Sequence, residues 1–88
     1  MVNENNGADT AQLPLRRFRL FRRARPNPKA KLLQKGDVVV PNYRSAKARD
    51  KHPRGVILSI QGSYAAVRWQ DQLTQPDRCE LRLLIKVT

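Results

Sequence analysis

Two apolar runs joined by a turn dominate the pattern of this chain. Gly55-Val56-Ile57-Leu58-Ser59-Ile60 is rich in β-branched residues, and Ser63-Tyr64-Ala65-Ala66-Val67-Arg68-Trp69 alternates with period two. Both patterns predict strands. Val56, Leu58 and Ile60 share one face of the first, and Ala65, Val67 and Trp69 share one face of the second. Parity turns that face inward, but Trp69 stands at the strand end, where exposure is common, and is open between core and surface. Gln61-Gly62-Ser63 supplies the turn between them, with Gly62 free to take a positive φ. Arg54 to Trp69 is therefore expected as a β-hairpin, the best-patterned stretch of the chain.

Weaker strands flank it. Lys35-Gly36-Asp37 is expected as a turn feeding Val38-Val39-Val40, a strand ended by Pro41. Asn42 to Pro53 is polar and bordered by prolines. That composition predicts a long exposed loop with room for one helical turn. After the hairpin, Gln70 to Pro76 reads as a polar loop and Asp77 to Leu81 as a short fourth strand. A brief 3₁₀ turn near Leu81 to Leu84 and a closing strand, Leu84 to Val87, complete five strands.

The N-terminal third patterns differently. Met1 to Ala11 has one Val and no other large aliphatic or aromatic residue after Met1, too little to offset the entropy of ordering, so disorder is expected. In residues 13–25, Leu15, Phe18 and Phe21 recur at spacing three among six arginines. This is a short amphipathic basic helix that orders only against something else, because so short and so charged a helix is marginal in water. Pro26 and Pro28 then stop it, and Arg25 to Lys31 reads as an extended linker. The expected division is a basic arm over residues 1–31 and a folded domain over 32–88.

Charge adds the first functional constraint. The 88 residues carry 18 Lys and Arg against 7 Asp and Glu, a net charge of +11. Residues 13–35 hold nine of those bases and no acid. An excess of this size attracts nucleic acid, anionic membrane or an acidic protein. The apolar face of residues 13–25 is narrow, which disfavours a membrane-surface helix. No apolar run approaches the roughly 20 residues of a membrane span, and Met1 to Thr10 lacks the apolar core of a signal peptide. Cys79 is the single cysteine, so no intrachain disulfide can form, and a cytoplasmic location is expected.

Catalytic chemistry is not signalled. His52 is the one histidine; it sits between Lys51 and Pro53, is expected to be exposed, and has no metal-ligand spacing. Cys79 has no base partner nearby in sequence and reads as a small core residue. Paired carboxylates, a Ser/His/Asp set and a phosphate-cradling glycine loop are all missing. The expectation is a protein that is not an enzyme, with no catalytic residues, cofactor, metal or small-molecule substrate.

The order strand, long loop, tight hairpin, short strand, 3₁₀ turn, short strand, with Lys35-Gly36-Asp37-Val38-Val39, Arg54-Gly55-Val56-Ile57 and Ala65-Ala66-Val67-Arg68-Trp69, resembles the SH3-like small β-barrels of the KOW and Tudor type. The resemblance covers residues 34–87. It implies an all-β fold, a five-stranded SH3-like barrel preceded by a disordered basic N-terminal arm. It implies no single activity, because that fold hosts many. A Tudor-type cage would have Tyr43, Tyr64 and Trp69 for a methylated cation, but a basic domain repels such a ligand.

The function expected from these features is a nucleic-acid-binding module, with RNA or single-stranded DNA preferred because no recognition helix is visible. Phosphate contacts are assigned to Arg16, Arg17, Arg19, Arg22, Arg23 and Arg25 of the arm, and to Arg44, Lys47, Arg49, Lys51, Arg54 and Arg68 of the domain. Phe18, Phe21, Tyr43, Tyr64 and Trp69 are the candidate partner contacts. An alternative is an accessory subunit that grips a larger protein or ribonucleoprotein assembly through the same arm and barrel.

Overall fold

The structure is a computed structural model and describes residues 21–71 and 75–87. The expectations for Met1 to Ala11 and for Leu15, Arg16, Arg17, Phe18 and Arg19 lie outside those residues. Within them, five strands form one antiparallel sheet: β1 (Val38–Pro41), β2 (Gly55–Gln61), β3 (Tyr64–Trp69), β4 (Asp77–Glu80) and β5 (Leu84–Lys86). A six-residue helix, α1 (Ala46–Lys51), lies between β1 and β2. A 3₁₀ turn at Leu81–Leu83 precedes β5, and another spans Ala30–Leu32.

The strand order is β4-β3-β2-β1-β5. Among the described residues β4 pairs only with β3, and β5 only with β1. The all-β class is therefore present, but the expected closure into a barrel is not: the two end strands do not pair with each other. One core nevertheless draws on every strand. Val39, Ile57, Ala65, Val67, Trp69, Cys79 and Leu84 pack in a single buried cluster.

The hairpin forms where the pattern places it. Gln61 pairs with Tyr64 around Gly62-Ser63, and Gly62 takes φ +59°, a left-handed conformation that costs glycine no Cβ clash. The face assignment of β2 changes. Ile57 pairs with Val67 and Ser59 with Ala66, so Leu58 is an extra residue in a β-bulge. Ile57, not its neighbours, fills the core, while Val56 is 39% exposed opposite Arg68. A bulge shifts the side-chain parity of a strand, which a period-two reading cannot anticipate.

Pro41 ends β1 as a strand residue rather than a breaker. Asn42 donates its N–H to the Leu83 carbonyl at 2.8 Å, and Pro41 stands opposite Leu84. By strand alternation the nitrogen of Pro41 then faces away from β5, on the side where pairing with β2 has already ended at Val39 opposite Gly55. No ladder bond is lost.

Packing on the sheet begins well before Leu32, the expected start of the folded unit. Phe21, Ala30 and Leu33 are all core residues, whereas Leu32 itself is 67% exposed. Ala24 bridges Tyr43, the Arg25 N–H donates to Asn42 at 2.9 Å, and the Asn42 amide returns a bond to the Arg25 carbonyl at 2.9 Å. Asn27 donates through its backbone to Arg82 and through its side chain to Leu84. The stretch expected as an extended linker is thus strapped across β1, β5 and the Leu81–Leu83 turn. Pro26 and Pro28 suit such a strap, since proline has no N–H to leave unpaired.

Candidate nucleic-acid interface

Trp69 and Phe21, both candidate partner contacts, hold the core together instead. Trp69 is fully buried, with the Phe21 ring 6.1 Å away and the His52 ring 5.0 Å away edge-on. Its indole lies against Gly55, where an added Cβ would stand 2.7 Å from Cε3 and 2.5 Å from Val67 Cγ1. Glycine is required there by close approach. Phe21 is 9% exposed. An amphipathic repeat names an apolar face but not its partner, and here the partner is the protein's own tryptophan. His52, expected to be exposed, is buried between Trp69 and Tyr43, with Nδ1 2.6 Å from the Pro53 carbonyl.

The remaining candidates fall in two places. The first is the loop carrying α1. Ser45 caps α1 by accepting the Ala48 N–H at 3.3 Å, as N-cap serines do. Arg44, Lys47 and Lys51 are exposed. Arg49 is half-buried and donates to the Tyr43 carbonyl, so it braces the loop. Tyr43 is itself half-buried, its ring edge-on to His52 at 5.8 Å. Arg54 is half-buried at the start of β2, and Arg68 points outward from β3.

The second place is a groove of about 300 Å³ between the strap and the outer edge of the sheet. Phe21, Ala24 and Pro26 form one side, and Tyr64, Arg78, Glu80, Arg82 and Leu83 form the other. A neighbouring hollow of about 470 Å³ continues past Tyr64 and Glu80 to Lys31 and Ser63. Strand register builds this surface. Tyr64 on β3 stands directly opposite Glu80 on β4, and Ala66 opposite Arg78. Asp77 and Cys79 are buried and Arg78 and Glu80 half-buried; Arg78, Cys79 and Glu80 all line the groove.

The chemistry of the groove differs from that of an ordinary charged face. The Arg78 guanidinium lies over the Tyr64 ring, 4.8 Å from its centroid. Arg82 Nε donates to Glu80 Oε2 at 2.8 Å. Arg22 lines the same groove and is exposed, as are Arg23 and Arg25 beside it on the strap. A flat π-layer, three guanidinium groups and one carboxylate therefore meet on a concave, partly apolar surface. Such a layer can stack a base, and the guanidinium forks match phosphate oxygens.

Of the sequence candidates, Phe21, Arg22 and Tyr64 line this groove, and Arg23 and Arg25 flank it. Arg16, Arg17, Arg19 and Phe18 lie outside the described residues. Arg78, Glu80 and Arg82 were not candidates. Alternation along Asp77-Arg78-Cys79-Glu80 puts Arg78 and Glu80 on one face, which was the available signal. Their meeting with Arg22 depends on the strap.

Among the described residues no three His, Cys, Asp or Glu side chains gather as a metal site, and no helix is long and apolar enough to cross a membrane. Comparison with protein-family models, curated proteins and solved structures finds no match to this chain.

Proposed function

We propose that this protein is a non-enzymatic module that binds single-stranded nucleic acid, RNA or single-stranded DNA, along the groove beside β4. The observation that carries the reading is the joining of an aromatic platform to cations on one concave surface: Tyr64 under Arg78, with Arg22 and Arg82 on the walls. A base extends the Tyr64–Arg78 stack, and flanking phosphates meet Arg22, Arg23, Arg25 and Arg82. Stacking of this sort accepts unpaired bases and contributes about 1–3 kcal/mol per base. α1 is only six residues long, too short to serve as a recognition helix in a duplex major groove.

The strand order β4-β3-β2-β1-β5 and the 3₁₀ turn before β5 support reading the open sheet as a variant of the SH3-like small barrel. Basic loops and strand edges of small β-folds are common places for ligands. The unbridged, buried Cys79 accords with a reducing compartment, and we assign the protein to the cytoplasm on that basis.

Fluorescence anisotropy on the full chain tests the reading, with labelled oligocytidine, its DNA counterpart and a duplex of equal length. Four arginines on phosphates would give a salt slope of about −2.8 on a single strand, so affinity should fall about fiftyfold between roughly 50 and 200 mM salt. Single strands should bind tighter than the duplex. Millimolar affinity for every nucleic acid at low salt would overturn the proposal. A protein partner retained after nuclease treatment would instead favour the accessory-subunit alternative.

A further inference from the structure

We infer that Glu80 makes the groove selective for bases that present an exocyclic amino group, cytosine over uracil among pyrimidines. The inference rests on the nucleic-acid reading of this groove and adds a specificity to it.

A carboxylate in a phosphate-binding groove is a cost, because it repels the backbone that the arginines attract. Glu80 is nevertheless built into this one. It stands directly across from Tyr64 on the neighbouring strand, and such cross-strand Cβ atoms are about 5 Å apart. A base stacked on the Tyr64–Arg78 layer therefore has an edge within reach of the Glu80 side chain. Arg82 Nε donates to Oε2 at 2.8 Å in an exposed ion pair, which orients the carboxylate only weakly. A carboxylate has about four lone-pair sites, so the group can accept a further donor while the ion pair persists.

The base edge then decides affinity. Cytosine offers the N4 amino group as a donor. Uracil has the O4 acceptor at the same place, as thymine does. A carboxylate accepts from the first and repels the second. The two rings are of equal size, so their stacking on the Tyr64–Arg78 layer is similar and the difference falls on that one edge. Rejection of an acceptor facing an acceptor is the repulsive element by which specificity is commonly achieved. A hydrogen bond to a charged group, at the low end of its range, corresponds to about tenfold in affinity.

The test measures binding of labelled oligocytidine and oligouridine of equal length to the full chain and to its Glu80→Gln variant, at low salt. The wild-type chain should prefer cytidine about tenfold. Glutamine can donate as well as accept, so Glu80→Gln should bring the two affinities within about twofold, mainly by strengthening uridine. If Glu80 serves only to pair with Arg82, the substitution moves both affinities together and leaves their ratio unchanged. An unchanged ratio, or a wild-type preference for uridine, overturns the inference while the nucleic-acid reading stands. Failure of both oligomers to bind overturns that reading and this inference together.

Discussion

The groove beside β4 and the loop carrying α1 present similar numbers of cations in different settings. On the loop, Arg44, Lys47 and Lys51 project into solvent. Arg49 is engaged with the Tyr43 carbonyl, and the Tyr43 ring with His52. Its aromatic and its best-placed guanidinium thus serve the fold. In the groove, Tyr64 and Arg78 stack on each other at a concave surface, with Arg22 and Arg82 beside them. Charge density does not separate the two regions. What does is whether a flat surface and cations are held together where a ligand can lie against both. Solvated charges attract any anion and are screened by salt, whereas a stacked platform selects planar groups.

Phe21 is where this contrast can be broken most severely. It lines the groove and also packs against Trp69. Phe21→Ala should lower the free energy of unfolding by about 3–4 kcal/mol, measured by urea denaturation. Loss of the strap should weaken nucleic-acid binding in parallel. A variant of unchanged stability would mean that the strap is not anchored by this ring.

Tyr64→Ala comes next and acts on the groove alone. Affinity for a single strand should fall by about 1–3 kcal/mol while the salt slope stays the same, because no phosphate contact is removed. A flatter slope without loss of affinity at low salt would place the ligand elsewhere.

Ser45→Ala sharpens the other side. Removing the cap of α1 should cost about 1 kcal/mol of stability and leave single-strand affinity within about twofold, a change of less than 0.5 kcal/mol. Smallest of all should be the paired change Lys47→Ala and Lys51→Ala. Affinity should drop less than about threefold, and the salt slope should flatten by less than about 0.7 per lysine. If this pair cuts affinity as deeply as Tyr64→Ala, the loop is the binding surface and the contrast between the regions collapses.

The hairpin was the most legible part of the fold. Its alternation, its glycine turn and the inward parity of Ala65 and Val67 are local patterns; Trp69, at the strand end, was open between core and surface by pattern alone, and it is fully buried. The short 3₁₀ turn before β5 was legible for the same reason. The bulge at Leu58 was not, because nothing in the apolar run marks which residue is extra. His52 was misplaced because its polar neighbours in sequence are not its neighbours in space, which are Trp69 and Tyr43.

The candidate site divides along the same line. Sequence by itself determined the strands, the turn at Gly62, the basic balance and the presence of Tyr64 and the arginines, since each follows from adjacent residues or from composition. Only tertiary structure decided what those residues do. It committed Phe21 and Trp69 to each other, drew Ala24–Asn27 across the ends of β1 and β5, and brought Arg22 from the N-terminal segment to Tyr64, Arg78, Glu80 and Arg82 of the sheet edge. The physical reason is that apolar burial is non-directional. A sequence states how much surface must be covered, while the choice of which element covers it belongs to the folded chain.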